Sequence, residues 1–279
     1  MGNNMKNIQE NVLLTNTLST PMVYYNTYNY SPEDISLRYG AIKFGTVDDL
    51  NEYFKAGVSA LQNKNVQLAI SNFSKVVEMV PSFIPAVNNL GALYYSIGRI
   101  NEAVYFFEQG IKKDPKNFQM RYNVGTLYLL NKNFDLAKDQ LAQAKSLVPE
   151  DPAINNNLAL SMLGVDIASS AGATIFADLV NKFDTFDIAF HNYAHFLSQK
   201  GQYDEALNFY QKALEKNNNS VITLNDIACC YYKKGSISEA VETLQSIISS
   251  TGCQFQPAIY NLGYIVFKEQ LLSLENLKK

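Results

Sequence analysis

The sequence predicts an all-α solenoid: a right-handed superhelical array of about six helix-turn-helix repeats, with a cap helix at each end. Three observations predict it. Small residues at Gly57, Gly91, Gly125, Ala159, Ala194, Ala228 and Gly263 recur in steps of 34, 34, 34, 35, 34 and 35 residues. That is the period of a paired-helix repeat. Large apolar residues surround each small one at helical spacing. Prolines at Pro81, Pro115 and Pro149 close the first three units, where they end a helix and turn the chain.

Residues 1–31 form a polar, tyrosine-rich arm carrying Tyr24, Tyr25, Tyr28 and Tyr30. Residues 32–46 follow as an N-terminal cap helix, with Ser31 as N-cap, Pro32 at the first position and acids in the first turn. A helix from Pro32 to about Lys43 would turn Ile35, Tyr39 and Ile42 toward the array. Thr46 and Asp49 make a capping box for the next helix.

The array spans residues 47–255. Repeat one (50–83) carries Tyr53, Ala56, Gly57 and Ala60, then Ala69, Phe73 and Val76. Repeat two (84–117) carries Val87, Leu90, Gly91 and Tyr94, then Ala103 and Phe107. Repeat three (118–151) carries Val124, Gly125 and Tyr128, then Ala137 and Leu141. The small residues mark where the two helices of a pair come closest. Repeat four (152–186) has a regular first helix with Leu158 and Ala159, then a run of small residues from Ala168 to Ala173 and no closing proline. It reads as a diverged pair that still packs, or as a joint. Repeats five (187–220) and six (221–254) return to the pattern, with turns at Gly201 and Gly235. Asn217, Asn218 and Asn219 stand in for the proline after repeat five. Residues 256–279 read as one more first helix acting as the C-terminal cap, with Ile265, Leu271, Leu272 and Leu274 extending its apolar content.

This order of residues resembles the tetratricopeptide repeat, W-x2-L-G-x2-Y, then A-x3-F, then P, over about residues 47–270. The resemblance implies a scaffold that binds other proteins. It also implies that the first helix of each pair lines a concave groove. Two residues before each small residue stand Lys55, Asn89, Asn123, Asn157, Asn192, Asp226 and Asn261. A carboxamide both donates and accepts, so a row of them at one-repeat spacing can pair with the backbone of an extended polypeptide. The row is similar to the asparagine row of O-linked N-acetylglucosamine transferases. Beside it stand Phe54, Asn88, Tyr122, Asn156, His191, Asn225 and Tyr260, and three residues after it Val58, Ala92, Thr126, Leu160, His195, Cys229 and Tyr264. The candidate peptide-binding residues are Asn89, Asn123, Asn157, Asn192, Asp226 and Asn261, with Tyr122, His191, His195 and Tyr260. Family members that grip a chaperone tail use cations around its carboxylate. The corresponding positions here, Phe54, Val58, Asn89, Gln119 and Asn123, hold none.

The function expected is therefore a non-catalytic scaffold, assembly factor or chaperone, without cofactor or metal, whose partner is another protein or peptide segment. A net charge of −3 and a pI near 5.5 argue against nucleic acid as partner. No apolar run of about 18 residues is present to insert in a membrane. The three cysteines, Cys229, Cys230 and Cys253, do not form a disulfide framework. With no secretory signal, the protein is expected in the cytoplasm. Two alternatives stand beside this. One is a homo-oligomeric scaffold using the arm or the C-terminal helix. The other is an enzyme built on His191, His195 and Cys229, where two imidazoles one turn apart face Asp226 and a thiol one repeat later.

Overall fold

A computed structural model describes residues 31–217 and 220–276, with side chains described to residue 270. Among these residues there are fourteen α-helices and no strand. They are α1 (Pro32–Tyr39), α2 (Val47–Gln62), α3 (Val66–Met79), α4 (Ile84–Ser96), α5 (Ile100–Lys113), α6 (Phe118–Leu130) and α7 (Phe134–Leu147). Then come α8 (Pro152–Val165), α9 (Ser170–Lys182), α10 (Asp187–Gln199), α11 (Tyr203–Lys216), α12 (Val221–Lys234), α13 (Ile237–Ser250) and α14 (Gln256–Asn276). The fold is all-α, and α2 to α13 alternate as first and second helices of successive repeats.

The chain divides into two compact units, one running to Val165 and the other beginning at Asp166. The division falls inside repeat four, between α8 and α9. The small-residue run there is put to local use. The Ser169 hydroxyl accepts from the Gly172 amide and caps α9. Asp166 accepts from the Ala168 amide in the turn before it.

In the first unit the caps behave as their residue types dictate. Ser31 with Asp34, and Thr46 with Asp49, both close reciprocal capping boxes; the Thr46 amide donates to Asp49 at 2.8 Å. The cap helix is shorter than the expected span to about Lys43. It stops at Tyr39, because Gly40 takes a left-handed φ of 87° and the Ser82 hydroxyl donates to the Tyr39 carbonyl. Below it Ile35, Leu50, Phe54, Phe73, Met79 and Phe83 form one core. The Phe54 ring lies 5.5 Å from Phe73 and 5.3 Å from Phe83. Each such ring contributes about 1.5–3 kcal/mol by leaving water.

The small residues do what close approach requires. A Cβ placed on Gly57 would stand 2.7 Å from the Phe73 ring, on Gly91 2.5 Å from Phe107, and on Gly125 2.8 Å from Leu141. Each glycine thus seats the large residue of its own second helix. Gly263 on α14 has nothing within 4 Å. In the second unit Ala228, Ala240, Leu244, Ile247 and Ile265 make the core that joins α12, α13 and α14.

Candidate functional site

The first helices are buried differently from the second helices. On α5, α7 and α11 three residues each are buried, as for a helix with one side on the core. On α4 every residue from Ile84 to Leu93 is buried. On α6 all from Met120 to Leu127 are, and on α8 all from Ile154 to Ser161. The asparagine row lies in this buried stripe. Asn89, Asn123, Asn157, Asn192 and Asn261 have no exposed surface. Asp226, Tyr122, His191 and His195 are also buried, and Tyr260 is half-buried.

The row is organised by side-chain rungs between successive first helices. In the first unit Asn123 Nδ2 donates to Asn88 Oδ1 at 2.9 Å. Asn157 Nδ2 donates to Thr126 Oγ1 at 3.0 Å, and Asn156 Nδ2 donates to Asn157 Oδ1 at 3.0 Å. In the second unit Asn261 Nδ2 donates to Asn225 Oδ1 at 2.9 Å and reaches Cys229 Sγ at 3.4 Å. The rule is the same for Asn123, Asn157 and Asn261. The residue two before the small position reaches back to the preceding first helix, to the residue three before its small position or one after it. These acceptors, Asn88, Thr126 and Asn225, recur in the sequence at fixed offsets from the row. Their offsets were visible there, but their pairing with it was not. A polar group this deep must be bonded, since leaving one unsatisfied costs about 1–3 kcal/mol.

At the next rung in the second unit the amide pair gives way to ionisable groups. Asp226 Oδ2 lies 3.4 Å from His191 Nε2 and 3.8 Å from His195 Nδ1. Asn225 Nδ2 donates to the other oxygen at 3.3 Å. His191 Nδ1 meets the Thr223 hydroxyl at 3.0 Å, and His195 Nε2 meets the Gln199 amide at 2.7 Å. Burial pushes the Asp226 carboxyl up, but the hydrogen bonds and charge of His191 and His195 outweigh it and hold it well below the usual carboxylate range. Beside His191 a cavity of about 170 Å³ is lined by Asp187, Ile188, Asn217, Ser220 and Thr223.

The structure therefore brings His191, His195 and Asp226 together and turns Cys229 toward the amides of Asn225 and Asn261. Among the described residues no group of three or more His, Cys, Asp or Glu is arranged to hold a metal ion. No helix among them is long and apolar enough to cross a membrane.

Stacked helix pairs joined by polar rungs define a helical-repeat protein of the interaction-scaffold class. A family model described as a tetratricopeptide repeat matches residues 98–160 and 197–251. Over those two stretches the chain carries the tetratricopeptide repeat. Among curated relatives, it is 28% identical over 96 residues to the protein CTR9 homolog of Arabidopsis thaliana, covering 34% of this chain and 9% of that protein. It is 23% identical over 206 residues to Hsp70-Hsp90 organizing protein 1 of Glycine max, covering 70% of this chain and 34% of that one. The chain thus spans about a third or less of the length of these relatives. Among solved structures, PilW, a widely conserved type IV pilus biogenesis factor, superimposes with a TM-score of 0.68 at 14% identity, over 78% of this chain and 98% of that one.

Proposed function

We propose that the chain is a non-catalytic scaffold that holds an extended segment of another protein along the inner face of its first helices. The observation that carries this is the set of amide rungs. Each rung fixes the rotamer of an asparagine whose carboxamide both donates and accepts. Amides held at one-repeat spacing are pre-organised for a main chain, whose N–H and C=O groups also repeat. Asn89, Asn123, Asn157, Asn192, Asp226 and Asn261 are the proposed contacts, with Tyr122, His191, His195 and Tyr260 beside them.

The relative from Glycine max is named for organising Hsp70 and Hsp90. Capture of a terminal carboxylate is not the mode proposed here. Phe54, Val58, Asn89, Gln119 and Asn123 supply no cation for it. An internal segment fits better. A catalytic role for Cys229 is set aside, because its thiol is fully buried and accepts from amides, whereas a nucleophile needs access and a base.

The test compares wild type with the triple variant Asn123→Ala, Asn157→Ala, Asn192→Ala. Partner recovery is quantified by mass spectrometry and helicity by circular dichroism. Loss of a partner with helicity retained is the expected result; equal recovery would move binding off this face. A second reading, self-association, is favoured by α14. Its Ile259, Val266 and Phe267 are 37%, 43% and 52% exposed around Gly263. A mass in solution that stays monomeric with rising concentration would remove it.

A further inference from the structure

In the first unit the first helices α4 and α8 contain no charged residue. The second unit is different. Its α10 begins with Asp187, and the cavity of about 170 Å³ beside His191 lies there, between α10, the end of α11 and the start of α12. That volume is below the roughly 300–1,000 Å³ of sites that enclose a whole small molecule. It suits one side chain.

The direction of a buried hydrogen-bond relay decides what the cavity offers. The Asp226 carboxylate faces His191 Nε2 at 3.4 Å, so the imidazole keeps a proton on that nitrogen. Nδ1 is then an acceptor, and the Thr223 hydroxyl donates to it at 3.0 Å. Thr223 Oγ1 in turn accepts from the Ser220 hydroxyl at 2.9 Å. With its proton used, Ser220 Oγ accepts from the Thr223 amide at 3.2 Å and keeps one lone pair. Asn217 Nδ2 donates to Asp187 Oδ2 at 3.4 Å, which leaves Asn217 Oδ1 as an acceptor. Asp187 has no cation partner among the described residues; the ammonium of Lys216, the last residue of α11, is held by Asp184 at 2.8 Å.

We propose that this cavity binds a lysine side chain of the extended segment, with its ammonium on Asp187, Asn217 Oδ1 and Ser220 Oγ and its methylenes between Ile188 and Ile222. An ammonium brings three donors to these three acceptors. Its stem is apolar, and Ile188 and Ile222 are half-buried apolar walls. The rival ligand is an anion, because α10 and α12 both begin here and a helix N-terminus carries roughly half a positive charge. That field is answered within the site. Asp187 stands at the first position of α10 with a full negative charge, and the Ser220 side chain caps the Thr223 amide of α12. An anion would have to lie against the Asp187 carboxylate.

This rests on the proposed groove function and deepens it. α10 and α12 carry Asn192 and Asp226, two of the proposed backbone contacts, and His191 joins the cavity to Asp226. The amide row reads no sequence; the cavity reads one position of the segment.

The test uses the full chain labelled with carbon-13 at its isoleucine δ-methyl groups. It is titrated with n-butylammonium chloride, n-butanol and sodium acetate at one ionic strength, and Ile188 and Ile222 are followed by NMR. The expected result is saturable shifts with butylammonium, at a Kd on the order of 1 mM for so small a probe, and none with acetate. Butanol should bind at least about tenfold more weakly, and Asp187→Asn should weaken butylammonium by about tenfold or more. Asp178→Asn, which removes an exposed carboxylate of α9, should leave the affinity unchanged. Constant methyl positions elsewhere report that each variant is folded. A response to acetate, a smaller preference over butanol, no response to butylammonium, or a smaller loss in Asp187→Asn would each overturn the proposal. No partner is needed, so this test can fail while the triple-asparagine test still succeeds, and the reverse.

Discussion

Asn123 on α6 donates its amide proton to Asn88 on α4 at 2.9 Å, across 35 residues of chain, with both side chains fully buried. The bond joins two repeats, as does the one from the Tyr128 hydroxyl to Glu108 at 2.6 Å. Its value lies in what its loss would expose. Asn88→Ala leaves the Asn123 amide without this acceptor in a buried site, so it should destabilise the first unit by about 1–3 kcal/mol. The double replacement of both by Ala should cost less than the sum of the singles. Urea denaturation of the four proteins forms the double-mutant cycle; strict additivity would mean that the rung is not coupled.

Gly91 and Gly263 occupy equivalent repeat positions with opposite surroundings. Gly91→Ala would set a Cβ 2.5 Å from the Phe107 ring, and the buried ring has no room to retreat, whereas Gly263→Ala meets open space. Alanine gains about 0.5–1 kcal/mol over glycine inside a helix. Gly263→Ala should therefore raise the melting temperature. Gly91→Ala should lower it, because the packing penalty exceeds that gain. Differential scanning calorimetry decides, and a stabilised Gly91→Ala would contradict the close-approach account of the repeat.

Asp226 gives the second unit an acid sensitivity whose sign is fixed. Its carboxyl is held below its ordinary value by His191 and His195 despite burial. Such a group contributes stability that is fully present above the unfolded value, about pH 3.9, and is lost as pH falls from there through the folded value. Thermal melts from about pH 6 downward should show this loss at and below about pH 4. Asp226→Asn should flatten the acid limb. It should also cost about 3 kcal/mol near neutrality, because it breaks a buried pair. An identical acid limb in the variant would show that other groups set it.

The cysteines divide cleanly. Cys229 and Cys230 are buried, while Cys253 is exposed in a turn at a φ of 64°. Brief treatment of the native protein with iodoacetamide should add a single label, located at Cys253 by peptide mapping. Urea should release the other two. Rapid labelling at Cys229 in the folded protein would contradict its enclosure by Asn225 and Asn261.

The repeat was legible because spacing is a one-dimensional property. Gly57, Gly91 and Gly125 announce helix pairs from their period alone, and the large side chains that fill them, Phe73, Phe107 and Leu141, follow at fixed offsets. The end of α1 was not legible. It depends on Gly40 and on a hydroxyl 43 residues away at Ser82. The asparagine row was found by the same periodicity, but its depth was not. The pattern that places Asn123 beside a groove is equally consistent with an exposed amide and with one bonded to Asn88. Only the packing distinguishes them. The tyrosines at Tyr24, Tyr25, Tyr28 and Tyr30, the turn residues Asn218 and Asn219, and the side chains of Leu271, Leu272 and Leu274 lie outside the described residues.

The absence of charge on α4 and α8 has a kinetic consequence. A ligand approaching this stripe feels no local steering field, so its association should proceed at about the unsteered 10⁵–10⁶ M⁻¹s⁻¹ and change little between low and high salt. Discrimination among ligands would then reside in how long each one stays, which is set by how many main-chain groups align with the amides before a mismatched side chain breaks the register.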